Sequence, residues 1–181
     1  LPICFSLAGF TYFSKDHSGG ITLDELFMTF NPKNVLIQEL KGEWLSTHID
    51  ATGAINNLFD FALRDEPLSA TIDLKADELD LREWIGRFHN MPAAATLQIN
   101  GPFEVPENID FTINVEAGRL HYDNLDLQSI SGKLQISDQT VQFHNVKANG
   151  LDGDIVIDGT YSTSEQGASP EIALTYDVKG L

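Results

Sequence analysis

Apolar and polar positions alternate with a period of two along most of this chain. Ile109, Phe111, Ile113 and Val115 fall on one side of an extended backbone, and Asp110, Thr112 and Asn114 on the other, the pattern of a strand with one face buried. One-sided alternation belongs to antiparallel sheets, because strands of parallel sheets are usually covered on both faces. The spacing therefore predicts an antiparallel strand, a turn at Glu116-Ala117-Gly118-Arg119, and a new strand opening at Leu120 and Tyr122. Further alternating runs follow at Leu125 and Leu127, Leu134 and Ile136, Val141 and Phe143, Ile155 and Ile157, and Ile172, Leu174, Tyr176 and Val178. Turn chemistry separates them, as at Ser137-Asp138-Gln139, Asn149-Gly150 and Asp152-Gly153, so the reading is a meander.

The N-terminal half follows the same rule, with strands expected over 23–30, 35–40, 47–55 and 68–76. At the start, Ile3, Phe5 and Leu7 alternate before Gly9, and Phe10 and Tyr12 after it, which predicts a strand with a bulge at the glycine. Two short helices interrupt the pattern. Leu58, Phe59, Ala62 and Leu63 stand at helical spacing, and Leu81, Trp84, Ile85 and Phe88 form an i, i+3, i+4, i+7 stripe behind the acidic run 77–80, where a helix N-terminus favours negative charge. Periodicity lapses over 90–95, the expected junction between halves.

An offset of 106 residues aligns the two halves without a gap. It pairs Val35 with Val141, Lys41 with Lys147, Leu45 with Leu151, Ile49 with Ile155 and Gly53 with Gly159, and it carries Met28, Phe30 and Ile37 onto Leu134, Ile136 and Phe143. The register survives the turns, as expected of a structural repeat that stacks into a quasi-linear array. The expected fold is all-β with one or two short helices: one elongated antiparallel meander over 1–181, divisible into repeat units 21–89 and 96–181, and shaped as a curled groove or an open sandwich. It opens and closes on strands, which suggests a piece of something longer.

The stretch from Leu127-Gln128-Ser129-Ile130-Ser131-Gly132-Lys133-Leu134 through Val141-Gln142-Phe143 to Gly153-Asp154-Ile155-Val156-Ile157-Asp158-Gly159 resembles an AsmA-like repeat, and residues 21–85 are similar in outline. The resemblance rests on apolar and glycine positions and covers 21–181. It implies a long β structure curled into an apolar groove, anchored to the inner membrane by a helix that this chain does not contain, and reaching across the periplasm. Members of the family are tied to outer-membrane assembly and resemble TamB-type proteins thought to move phospholipid. The family has no catalytic residues to carry over. Ile109, Phe111, Ile113, Leu134, Ile136, Phe143, Ile155 and Ile157 are the candidates to line such a groove; each would otherwise be ordinary core.

Charge and composition narrow the alternatives. With 11 Lys+Arg against 27 Asp+Glu the net charge is −16, a surface that repels phosphate backbones, so nucleic acid is excluded as a partner and anionic membrane surfaces are disfavoured. Hydrophobic residues make up 42% of the chain, enough to oppose chain entropy and exclude disorder. Cys4 is the only cysteine, which rules out an internal disulfide and a thiolate zinc cluster. His17, His48, His89, His121 and His144 lack ligand spacing, with His144 expected on the solvent side of its strand. Asp152, Asp154 and Asp158, with Asn149 nearby, crowd one hairpin but lack the closing glutamate of a calcium loop. No nucleophile elbow or phosphate loop occurs. The expectation is therefore a non-enzymatic protein without cofactor or metal, with an acyl lipid such as phospholipid and further repeats of the same protein as partners. A β-sandwich module binding carbohydrate or protein, with Trp44 and Trp84 as its aromatics, is the alternative, and a purely structural spacer is a third reading.

Overall fold

A computed structural model describes residues 2–14, 17–31, 33–64, 66–82, 104–150, 152–163 and 169–180. The alternating segments form ten strands: β1 (Ile3–Ser14), β2 (His17–Phe30), β3 (Asn34–Trp44), β4 (Thr47–Asn56), β5 (Leu68–Asp80), β6 (Ile109–Tyr122), β7 (Leu125–Ser137), β8 (Thr140–Gly150), β9 (Gly153–Ser162) and β10 (Glu171–Lys179). A short helix, α1 (Leu58–Arg64), follows β4, where the Leu58, Phe59, Ala62, Leu63 spacing placed it. An Asp60–Arg64 ion pair of 2.7 Å braces that helix. The second expected helix, on the Leu81, Trp84, Ile85 and Phe88 stripe, has its first residues Leu81 and Arg82 helical, while Trp84 to Phe88 and the junction over 90–95 lie outside the described residues.

All ten strands belong to a single sheet, in the order of the chain from β1 to β10. The sheet is open, with β1 and β10 at its edges, and spans roughly 43 Å at the usual ~4.8 Å per strand. Several turns sit where polar residues accept left-handed backbone, as at Asp123 (φ 57), Asp138 (φ 50), Gln139 (φ 56) and Asp152 (φ 63), whereas the β3–β4 turn uses Leu45 (φ 52) with Ser46 (φ 59). Gly9, where a bulge was expected, adopts φ 63, but the register shift of this ladder falls between Tyr12 and Ser14 rather than at the glycine. The β1–β2 ladder omits Gly9 and the facing Asp24 and resumes in the same register, so both strands change the parity of their apolar positions together.

Two expectations need correction. Every neighbouring pair is antiparallel except β5–β6, which is parallel, from Leu68↔Ile109 to Asp80↔His121. The strand assigned as antiparallel from its alternation is thus parallel to one neighbour and antiparallel to the other. Residues 81–108 give the long connection that a parallel pair requires, and alternation survives because the outer face of the sheet meets water. The turn expected at residues 116–119 is also absent, since β6 runs unbroken through them. Gly118 serves a different need: a Cβ there would lie 2.7 Å from the backbone oxygen of Asp77, so the glycine permits close approach of β5.

The 106-residue periodicity is present in the hydrogen-bond ladders. In the β3–β4 hairpin the register slips between Ile37↔Gly53 and Leu40↔Ala51. In β8–β9 it slips between Phe143↔Gly159 and Val146↔Ile157, each residue 106 later. The bulge residue Asn145 adopts φ 48, and its amide donates to Asp158 Oδ1 at 2.7 Å. Beyond β4 the correspondence shifts: Ile55↔Ala70 matches Tyr161↔Ile172, so the connection into β10 is four residues shorter than the one that carries α1.

Candidate functional site

Residues paired across a ladder share a face, so the registers define the surface row by row. One row runs Ile3–Phe30–Val35–Ile55–Ala70–Phe111–Ile136–Val141–Tyr161–Ile172. The next runs Phe5–Met28–Ile37–Gly53–Ile72–Ile113–Leu134–Phe143–Gly159–Leu174. Neither contains a charged residue. All ten strands therefore present one continuous apolar face, which follows from applying the two-residue period strand after strand.

The lining candidates lie on this face: Ile109, Phe111 and Ile113 on β6, Leu134 and Ile136 on β7, Phe143 on β8, and Ile155 and Ile157 on β9. Phe111 faces Ile136, and Leu134 sits between Ile113 and Phe143. All are half-buried except Ile155, which is buried in a cluster with Leu79, Ala117, Leu127, Ile130 and Ala148. That cluster occupies one end of the face. The candidates cover only part of the surface, because Met28, Phe30, Ile37, Ile49 and Ala51 hold the equivalent positions on β2, β3 and β4. The 106-residue offset carries Leu134, Ile136, Phe143, Ile155 and Ile157 onto those five positions and was the signal available to find them.

Among the described elements, no second sheet covers the apolar face. Each strand packs on its sequence neighbours, and α1 touches β5. The chain exposes 11980 Å², against roughly 8,700 Å² for a compact monomer of this length. At the other end of the face, the segment before β6 crosses toward β9. Val105 is buried there, its amide donating to Thr163 Oγ1 at 3.0 Å, and the Thr163 amide donates to the Gln139 carbonyl at 2.9 Å. Burial, and to a lesser degree the Glu104 carboxylate, raises the Tyr161 phenol above its ordinary pKa.

The opposite face is polar and lightly cross-linked. Lys75 pairs with Glu116 at 3.1 Å across the parallel seam, and Asn114 Nδ2 donates to Asp73 at 2.6 Å beside it. His121 Nδ1 lies 2.8 Å from Asp126, and this hydrogen bond raises the imidazole pKa. Burial pushes the Asp77 carboxyl up, but backbone donors from Glu78 and His48 and the His48 ring outweigh it, leaving the pKa below its usual value. His144 is exposed, on the solvent side.

The acidic hairpin does not converge into a site. Asp152 and Asp154 border a shallow depression with Asp126 and Asn149, and the Asn149 amide is tied to Asp154. Asp158 instead caps the β8 bulge. Among the described residues no three His, Cys, Asp or Glu side chains gather as metal ligands. Trp44 is half-buried with its indole nitrogen inside the protein, and Trp84 lies outside the described residues. No helix among the described residues is long and apolar enough to cross a membrane. No family model, no curated protein and no solved structure matches the chain.

Proposed function

We propose that this chain is a non-enzymatic segment of an AsmA-like envelope protein that shelters the acyl chains of phospholipid against one face of an open β-sheet, in outer-membrane assembly or lipid transport. The reading places it in the periplasm, held to the envelope membrane through a segment outside residues 1–181. The observation that carries it is the uninterrupted apolar face of ten strands with no second layer among the described elements. Such a surface gains roughly 25 cal/mol for every Å² of apolar area removed from water, and exposed apolar patches of this extent mark surfaces that meet lipid or another protein. The charge of −16 argues that contact with lipid is made through tails rather than through attraction to anionic headgroups.

A photoreactive benzoylphenylalanine placed at Phe111 or Phe143 tests this. After irradiation with phosphatidylethanolamine and phosphatidylglycerol vesicles, intact-mass spectrometry is expected to show phospholipid adducts at both positions. None are expected from the same group at Thr112 or Gln142, which lie on the outer face. Absence of adducts at Phe111 and Phe143, or equal labelling of both faces, sinks the reading. The carbohydrate- or protein-binding sandwich has less support, because one sheet holds all ten strands and the Trp44 indole nitrogen is buried.

A further inference from the structure

We propose that α1 seats the protein on a membrane: it inserts shallowly between the headgroups and acyl tails of a zwitterionic phospholipid bilayer and holds the sheet there by one end. The proposal goes beyond acyl-chain sheltering and does not depend on it.

No residue of α1 is buried, although Leu58, Phe59, Phe61, Ala62 and Leu63 are apolar. Leu58 is 38% exposed, Phe59 49%, Phe61 37% and Leu63 80%, and Ala62 is exposed as well. At about 100° per residue these side chains cover an arc of about 200°. Asp60 and Arg64 share the remaining sector, joined by their 2.7 Å ion pair. A helix that packs on protein needs an apolar stripe only roughly 100° wide. An arc of twice that width is more than one protein groove covers, but it suits a helix lying at the boundary of a bilayer, where hydrocarbon meets it from several sides.

The helix is tied to the sheet at both ends. Before it, the Asn57 amide donates to the Lys33 carbonyl at 3.0 Å; after it, the Leu68 amide donates to the Asn108 carbonyl at 2.9 Å. The strands it joins, β4 and β5, each have a neighbour on both sides. The corresponding connection from β9 to β10 is four residues shorter, so joining such strands does not require the helix. α1 also adjoins the apolar face, because Ile55 before it and Ala70 after it are partners in one apolar row. A seated helix brings that row to the bilayer surface.

Charge selects the kind of bilayer. Helices that lie on anionic membranes are usually rich in Lys and Arg. In α1 the single cation, Arg64, is paired with Asp60, the exposed Glu66 follows, and the chain carries −16. Attraction is left to the apolar side chains, so phosphatidylcholine surfaces are favoured and phosphatidylglycerol surfaces repel.

The test places an environment-sensitive nitrobenzoxadiazole label at position 63 (L63C) in a C4S background, since Cys4 is exposed. With phosphatidylcholine vesicles its emission is expected to rise and shift to the blue. The same label at position 36 (L36C) should not respond, because Leu36 is exposed on the outer face beside Thr29 and Ala54. In vesicle co-flotation, F59S/L63S is expected to weaken binding about tenfold, while L36S leaves it unchanged and phosphatidylglycerol in the vesicles weakens it at low salt. Both serines replace exposed side chains, and an unchanged circular dichroism spectrum confirms that the fold is kept. An unresponsive label at position 63, undiminished binding by F59S/L63S, or tighter binding to phosphatidylglycerol overturns the proposal. So does self-association in sedimentation velocity that F59S/L63S abolishes, which would give the helix to a second copy.

Discussion

Individual residues act here mostly by permitting close backbone approach. A Cβ on Gly159 would lie 2.1 Å from the Ala173 oxygen, and one on Gly53 would lie 2.3 Å from the Thr71 oxygen. Ala173 and Thr71 are themselves equivalent in the two halves, so the same steric demand is met by the same residue twice. Gly159→Ala is expected to cost about 1–3 kcal/mol, read as a lower urea midpoint with an unchanged slope. An effect within ~0.5 kcal/mol would mean that the strands separate freely at this point. His121 offers a charge-based check. Its folded pKa is raised by Asp126, so the pair's stabilising contribution is complete below the unfolded value of about 6.5 and fades as pH rises through the folded value. An NMR titration should place His121 above an ordinary histidine, and Asp126→Asn should bring it down. An unmoved midpoint in that variant would assign the shift to other carboxylates.

Among the elements, the β5–β6 seam has neighbours on both sides, while β1 and β10 have one each. Local opening follows the number of bonds that must break. Native-state hydrogen exchange is therefore expected to be slowest at residues 70–74 and 113–117 and fastest in β1 and β10; uniform protection would show that the sheet opens only as a whole. The strands themselves were legible in the sequence, because each has a wet face and a dry face and the turn residues between them accept left-handed backbone. Strand lengths and the seam were not. Gly118 has the look of a turn residue, and only the facing strand shows that it is a contact point. Direction of pairing leaves little trace in a single strand: the alternation of Ile109, Phe111, Ile113 and Val115 suits a parallel neighbour as well as an antiparallel one when the outer face is wet. The candidate lining was legible by parity and its extension into β2, β3 and β4 by the 106-residue offset, whereas its extension into β1 required the registers.

For the whole molecule, the parallel seam decides how the halves are related. Each hairpin reverses the chain, and a reversal at every junction would set an odd-numbered block of strands pointing against the next. The seam restores the direction, so β6 leaves the junction pointing the way β5 arrived, and equivalent strands of the two blocks run the same way. The relation between them is a step along the sheet rather than a two-fold flip. Five strands at ~4.8 Å make that step roughly 24 Å. A sheet built on this plan has a top, a bottom and a direction of travel, like a ladder whose rungs are copied in blocks of five, and duplicating one block in the gene would lengthen it by a fixed increment without inventing a new joint.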